Sequence, residues 1–444
     1  MLKIKNKNIN PVLFVLINQL FKIITGPLML LLIPLYLSKE EQGIWYLFSS
    51  LLALSIFADL GFSTIVLQFS AHEFSKLKID ENFILSGDEE NIKKISSFFI
   101  FICNWVTRMI LIVFPIIFLI GFYILYSKMP INLWLIPWIL YVLISAISFF
   151  LNNLLSFFQG FNIVAQIEKI KFYISLLTSF STIISLYLDL KIYSICLSSI
   201  LGLFLLLYFL NLIFKKTILQ LINNSKEFSY DWFDEIYQLL WKSGLSFASG
   251  YFIFQIYTPL MFIYKGPIEA GKVGLSISLW VSIFGISNSF IASIIPKVNI
   301  EISNKNWIIL DKIFNKNLFF SLITYFLFFI SFFIIYKYFG KNLVIKERNI
   351  LERFLSPFSM FILGITWFSQ LYINAIATYV RSHKKEPFAL LSVVYALYIP
   401  SSTFILAKYF HSDYFFIGFL SSTLVALPYI MYIYFKEKKG HLSI

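Results

Sequence analysis

Charge is scarce in these 444 residues: only 13% are Asp, Glu, Lys or Arg, against about 25% in a typical soluble domain. A water-soluble globule of this length cannot be built from so few charges, and a disordered chain needs more of them still. A soluble enzyme and a nucleic-acid binder are therefore both excluded as readings of the whole chain, and no nucleic-acid partner is expected. The two cysteines, Cys103 and Cys196, fall in apolar runs, which excludes a disulfide framework and a thiolate metal site. The four histidines, His72, His383, His411 and His441, are far apart, and none has the spacing of a zinc ligand pair. No cofactor is implied.

What the chain has instead is apolar length. Hydrophobic residues make up 59% of it and the mean hydropathy is +0.80. A membrane-spanning helix needs about 20 apolar residues. Twelve runs qualify: 11–37, 43–70, 97–126, 132–158, 172–188, 192–214, 244–264, 273–296, 317–336, 354–380, 388–407 and 414–435. They are too long and too uniform for the alternating strands of a membrane barrel. The predicted fold is an all-α, polytopic membrane protein of about twelve transmembrane helices.

The net charge of +13 follows from topology. The first eleven residues, MLKIKNKNINP, are basic but lead into a run with no small-residue cleavage site, so they read as the start of an uncleaved first span. With both termini placed in the cytoplasm, the cytoplasmic connections carry about twice the Lys and Arg of the external ones, as the positive-inside rule requires. Basic cytoplasmic faces also suit anionic membrane lipid. External connections are short, and the longest, 337–353, carries five cations with Glu347 and Glu352. The polar stretch 215–243 divides the chain into two six-span halves, 1–220 and 221–444. Halves with an even number of spans enter the membrane from one side, as in a parallel repeat. Pro34-Leu35 followed by Glu41-Gln42-Gly43 is echoed by Pro259-Leu260 followed by Glu269-Ala270-Gly271.

Prolines interrupt several runs, at Gly26-Pro27, Pro34, Pro115, Pro259 and Pro357; each is expected to give its helix a fixed kink, the sharper alternative being that the bent first and seventh helices flex during transport. The 26 tyrosines and nine tryptophans are expected mostly at the lipid face or interfacial belt. Gln255, Asn288, and the pair Gln370 and Asn374 are the buried polar candidates of the second half, and hydrogen bonding between helices is their expected role.

Three charges lie inside spans. Lys22 is one helical turn after Asn18, Arg108 one turn after Asn104, and Asp59 is flanked at that spacing by Ser55 and Ser63. Residues four apart share a helix face, so three helices each carry a polar line. An intramembrane charge costs at least about 2.5–3.5 kcal/mol at the bilayer centre and usually faces a partner or water. Two bland explanations stand beside a binding role. Lys22 and Asp59 reach similar depths on either side of a turn near Glu40 and could pair; Lys22 and Arg108 could also snorkel to the interface.

The stretch Gly26 to Lys76, through Ile33-Pro34-Leu35-Tyr36-Leu37, Gln42-Gly43-Ile44-Trp45-Tyr46 and Ala58-Asp59-Leu60-Gly61-Phe62, resembles the start of bacterial O-antigen flippases of the Wzx type, in the multidrug/oligosaccharidyl-lipid/polysaccharide exporter superfamily. The resemblance implies two six-helix lobes around a central cavity that opens alternately to each side of the bacterial inner membrane. The implied substrate is an undecaprenyl-pyrophosphate-linked oligosaccharide, moved from the inner to the outer leaflet, with other polysaccharide-assembly membrane proteins as partners. Lys22 and Arg108, with Asn18 and Asn104, match the cationic lining of such a site in residue type and helix; Asp59 is either a coupling group or half of an ion pair. Three readings compete: a multidrug exporter of the same superfamily, which would favour buried carboxylates; a membrane polymerase or glycosyltransferase, which would need an acid or base, for instance on loop 337–353; and a purely structural membrane protein, which would not need the polar lines.

Overall fold

The computed structural model describes residues 11–80, 82–225, 230–340, 344–345, 348–383 and 387–442. Fifteen α-helices follow one another: α1 (Pro11–Tyr36), α2 (Lys39–Leu52), α3 (Ile56–Asp59), α4 (Phe62–Phe74), α5 (Glu89–Tyr126), α6 (Ile131–Gln159), α7 (Val164–Tyr187), α8 (Tyr193–Asn224), α9 (Trp232–Phe254), α10 (Tyr257–Lys265), α11 (Pro267–Ser303), α12 (Trp307–Phe339), α13 (Pro357–Ser382), α14 (Ala389–Tyr409) and α15 (Ile417–Leu442). Among the described residues nine helices are long and apolar enough to cross a membrane, and eleven spans result if each bent pair is one. The first predicted run lies on α1, whose residues 23–36 form a shorter apolar helix. The chain is an all-α, multi-pass membrane protein, as the sequence predicts.

The two bent pairs have separate causes. In the second run the chain leaves helical geometry at Leu60 (φ 46°) and Gly61 (φ 82°), and the helices on either side meet at 44°. In the seventh, α9 and α10 meet at 41°. Pro259 has no N–H to give the carbonyl of Gln255, so the helix bends one turn ahead of it. Pro27 and Pro34 lie inside α1 and Pro115 inside α5. Pro357 does not interrupt a helix. It opens α13 behind the N-cap Ser356, a position where the missing N–H is no loss.

By internal contacts the chain forms two compact units. The first comprises residues up to Thr25 with Phe48–Ala248. Its core is aromatic: Phe158 stacks on Phe214 with centroids 4.1 Å apart, Phe74 on Phe161 at 4.8 Å, and Trp232 packs on Phe98 at 4.6 Å. Helix α5 meets α6 where Gly121 lets Trp138 approach, and the indole donates to the Phe118 carbonyl at 3.2 Å. Six of the nine tryptophans are buried, Trp45, Trp134, Trp138, Trp232, Trp280 and Trp367, whereas most of the tyrosines are not. The chain uses these buried indoles as helix–helix filler, and the ring nitrogens of Trp134, Trp138 and Trp232 donate to Met129 O, Phe118 O and Ser97 Oγ. A two-stranded hairpin, β1 (Leu77–Ile79) with β2 (Leu85–Gly87), is fixed to α8 by the Gln220 amide, which both accepts from and donates to the Leu85 backbone at 2.8 Å.

The second unit comprises Gly26–Leu47 and Ser249–Ile444. Trp280, Tyr325 and Phe329 pack together from α11 and α12, and the Tyr325 hydroxyl donates to Gly364 on α13 at 2.8 Å. Asn374 donates to Asn288 at 2.9 Å, joining α13 to α11 as expected. Lys438 pairs with Asp311 at 3.0 Å between α15 and α12.

The turn between α1 and α2 is held with particular care in this unit. The Leu37 carbonyl accepts from Arg348 at 2.7 Å and from Arg353 at 2.9 Å. Burial, with the Arg348 charge beside it, lowers the Arg353 pKa from its ordinary value, against the opposing pull of Glu40, Glu41 and Glu352. The buried Gln42 amide donates to the Gly271 carbonyl at 2.9 Å and to that of Arg353 at 3.3 Å. Arg348 belongs to a second hairpin, β3 (Val344–Ile345) with β4 (Arg348–Asn349). The two echoed glycines, Gly43 and Gly271, lie against each other: a Cβ on Gly271 would fall 2.9 Å from the Gly43 nitrogen, and one on Gly43 would fall 2.1 Å from the Pro267 carbonyl oxygen.

Gly43→Ala must therefore displace backbone, and should lower stability by about 1–3 kcal/mol. Gly285→Ala on α11, where a Cβ meets open space, should be neutral or stabilising by up to about 1 kcal/mol. Thermal unfolding of the two variants in detergent checks this; equal melting temperatures would contradict it.

Candidate functional site

Of the five residues singled out by sequence, Asn18 lies in a polar network that joins three helices. It is 4% exposed on α1. Its amide donates to Glu168 Oε2 at 3.2 Å, and its Oδ1 is buried without a partner among the described residues. Glu168 lies in the second turn of α7. Its Oε1 accepts from Lys171 Nζ at 3.0 Å, and the same ammonium donates to Gln159 Oε1 of α6 at 3.2 Å. One turn of α1 is thus tied to α7 and α6 by a chain of four polar side chains. Beside it Phe21 packs edge-on against Phe172 at 5.6 Å, which sets the level at which α1 meets α7. Lys22 follows Phe21 on α1, and its side chain lies outside the described residues. The direct Lys22–Asp59 pair falls outside them for the same reason.

Glu168, Lys171 and Gln159 were not legible as a site. The fifth apolar run begins at residue 172, whereas α7 begins at Val164, so the acid and the lysine read as connection. The available signal was their spacing: Glu followed three residues later by Lys is a helical pair, which extends the helix back past the apolar run.

Asn104 and Arg108 stand on α5, on the face that also carries Thr107, Leu111 and Ile112. All five are exposed, Leu111 at 69%. Ile102 and Val106 face inward to the unit's core. Among the described residues Arg108 has no hydrogen-bond partner, and no described contact joins it or Asn104 to the Asn18 network.

Asp59 has a local task. The sequence places Ser55, Asp59 and Ser63 on one helical stripe, but the chain breaks at Leu60 and Gly61, so the stripe is not continuous. The carboxylate sits in the break and accepts from the Gly61 N–H at 3.1 Å, the Ser63 N–H at 3.1 Å and the Ser63 hydroxyl at 3.1 Å. It supplies acceptors to the orphan donors at the start of α4. Among the described residues no group of three or more His, Cys, Asp or Glu could hold a metal ion.

No family model matches the chain, and no curated protein does. Solved structures do. The chain superposes on the lipid II flippase MurJ in an inward closed conformation with a TM-score of 0.63 and 16% identity, over 97% of this chain and 89% of that one. It superposes on an inward-facing multidrug resistance MATE family transporter of the MOP superfamily with a TM-score of 0.59 and 12% identity, over 95% and 96%. A MATE structure in complex with MaL6 gives a TM-score of 0.53 and 12% identity over 98% and 97%. The chain has the fold of these transporters. At such identities the likeness concerns fold, and the side chains carry whatever specificity there is.

Removing the Asp59 carboxylate leaves donors of Gly61 and Ser63 unmet in an apolar setting. Asp59→Ala should lower stability by about 0.5–2 kcal/mol, and Asp59→Asn, which keeps one acceptor oxygen, should lie between it and the parent. Melting temperatures of the purified variants read this out; an Asp59→Ala protein as stable as the parent would contradict the capping role.

Proposed function

We propose that the chain is a flippase of the Wzx type in the MOP superfamily, not an enzyme. In this reading it moves an undecaprenyl-pyrophosphate-linked oligosaccharide from the inner to the outer leaflet of the bacterial inner membrane. The observation that carries the reading is the pair of cations, Lys22 and Arg108, each one turn after an asparagine in a largely apolar run, 11–37 and 97–126. A pyrophosphate and a glycan cannot enter hydrocarbon unaided. Fixed cations attract the former, and asparagines and hydroxyls suit the latter. The prenyl tail stays in membrane lipid throughout. The fold likeness to a flippase whose name gives lipid II as its substrate supports a lipid-linked substrate. Both termini are placed in the cytoplasm, the sequence halves 1–220 and 221–444 are taken as a parallel repeat, and other polysaccharide-assembly membrane proteins are taken as partners.

The competing readings lose ground on particular side chains. Export of organic cations would use a free buried carboxylate, but Asp59 caps α4 and the Lys171 ammonium beside Glu168 disfavours a second cation there. A polymerase acting through loop 337–353 would need an acid or base there. Arg348 and Arg353 are committed to the Leu37 carbonyl and Glu352 pairs with Lys39 at 3.6 Å; Glu347 lies outside the described residues.

Deleting the protein in its own bacterium should strand lipid-linked repeat units on the cytoplasmic leaflet, whereas loss of a polymerase would strand them outside. Lys22→Ala or Arg108→Ala should cut surface polysaccharide about tenfold, the loss of one charged contact of ~1.4 kcal/mol, with membrane insertion unchanged; Lys22→Arg should retain more. Full surface polysaccharide with both cations removed would overturn the assignment of these residues.

A further inference from the structure

The Asn18–Glu168–Lys171 network has the make-up of an anion site that is already filled. One carboxylate, Glu168, offers its two oxygens to two donors from two helices: Oε1 to the Lys171 ammonium of α7 at 3.0 Å, and Oε2 to the Asn18 amide of α1 at 3.2 Å. A phosphoryl group presents two oxygens in the same way, with higher charge, and such charge-assisted contacts are the stronger ones. The acid is tethered three residues from the lysine on the same helix, so the pair itself ties no two elements together, and an ion pair of this kind is weakly held. Exposure is unequal: the Lys171 side chain is 36% exposed and that of Glu168 13%. The ammonium is therefore the more accessible member of the pair, and an incoming anion meets it before the carboxylate it displaces. Lys22 follows Phe21, and Phe21 contacts Phe172, the residue after Lys171, so the backbone of α1 brings the Lys22 position to the same level as Lys171.

We propose that Lys171 is a phosphate-binding residue for the pyrophosphate of a lipid-linked substrate, and that Glu168 is its resident counter-ion, occupying a phosphoryl position until substrate arrives. The proposal rests on the flippase reading and adds to it a third cation and an internal competitor. Binding exchanges the Lys171–carboxylate contact for a Lys171–phosphate contact; no covalent bond forms or breaks. Gln159, which also accepts from Lys171, keeps the ammonium in place during the exchange.

An internal competitor makes a prediction of opposite sign to that of a structural ion pair. Titration of the purified full-length protein with inorganic pyrophosphate, at fixed pH and ionic strength, reads it out by calorimetry. Glu168→Gln should tighten binding three- to ten-fold. Lys171→Ala should weaken it about tenfold, and Lys171→Arg should stay within about threefold of the parent. Because Glu168→Gln leaves Lys171 without its acid, its melting temperature is expected to fall even as its affinity rises, a combination that a purely structural role does not give. Weaker or unchanged binding in Glu168→Gln, unchanged binding in Lys171→Ala, or no saturable binding in the parent would each overturn the proposal. Should Glu168→Gln not fold, Lys171→Ala against Lys171→Arg decides alone. These outcomes are separate from the flippase reading, which falls only if lipid-linked units fail to accumulate on the cytoplasmic leaflet.

Discussion

Inside a bilayer no water is present to satisfy a free backbone N–H or carbonyl, and each one left unpaired costs several kcal/mol. Almost every structural feature of this chain answers that constraint. Long uninterrupted helices satisfy it by themselves. Where a helix breaks, a side chain stands in: the Asp59 carboxylate takes the N–H groups of Gly61 and Ser63, and two guanidinium groups take the Leu37 carbonyl at the end of α1. Seen this way, a charge inside an apolar run or a basic cluster in a loop is first a means of repairing backbone, and only the charges left over are free to serve a ligand.

That ordering explains which parts of the fold were legible. The twelve apolar runs needed only hydropathy, and each lies on a helix or a bent pair. The break at Leu60–Gly61 was written in Asp59-Leu60-Gly61-Phe62-Ser63 as an acid ahead of a glycine, but an apolar window averages across it. The seventh-run bend was legible at Pro259, one turn after the bend itself. The Glu41-Gln42-Gly43 and Glu269-Ala270-Gly271 echo proved to mark a contact: Gly43 and Gly271 lie face to face within the second unit, where only a residue without a side chain permits such an approach. Spacing along the chain could show the likeness of the two motifs, but a contact between residues more than two hundred positions apart is a tertiary fact. Composition says how many tryptophans there are, but packing decides whether a ring fills a core, as six of the nine do, or sits at a boundary.

The candidate site was legible in part. Asn18 on α1 came from its spacing to Lys22, and it does stand in a polar network. Its partners were missed because α7 extends eight residues ahead of its apolar run, so Glu168 and Lys171 were weighed as loop. Arg108 and Asn104 share a face, as their spacing requires, and that face also carries Leu111 and Ile112; helical periodicity tells which residues point together and is silent on what they point at. Apolar patterning therefore specifies this fold closely, while its polar chemistry depends on contacts among α1, α6 and α7 that no single stretch of sequence contains.

The central functional claim is that this chain alone carries a lipid-linked oligosaccharide across a bilayer. The direct measurement is reconstitution of the purified protein into sealed vesicles containing undecaprenyl-pyrophosphate-linked oligosaccharide in both leaflets, followed by addition of a membrane-impermeant glycosidase outside. The account predicts that the entire glycan pool becomes cleavable in vesicles holding the protein, while protein-free vesicles keep the inner-leaflet fraction protected. Equal protection in the two preparations would contradict it.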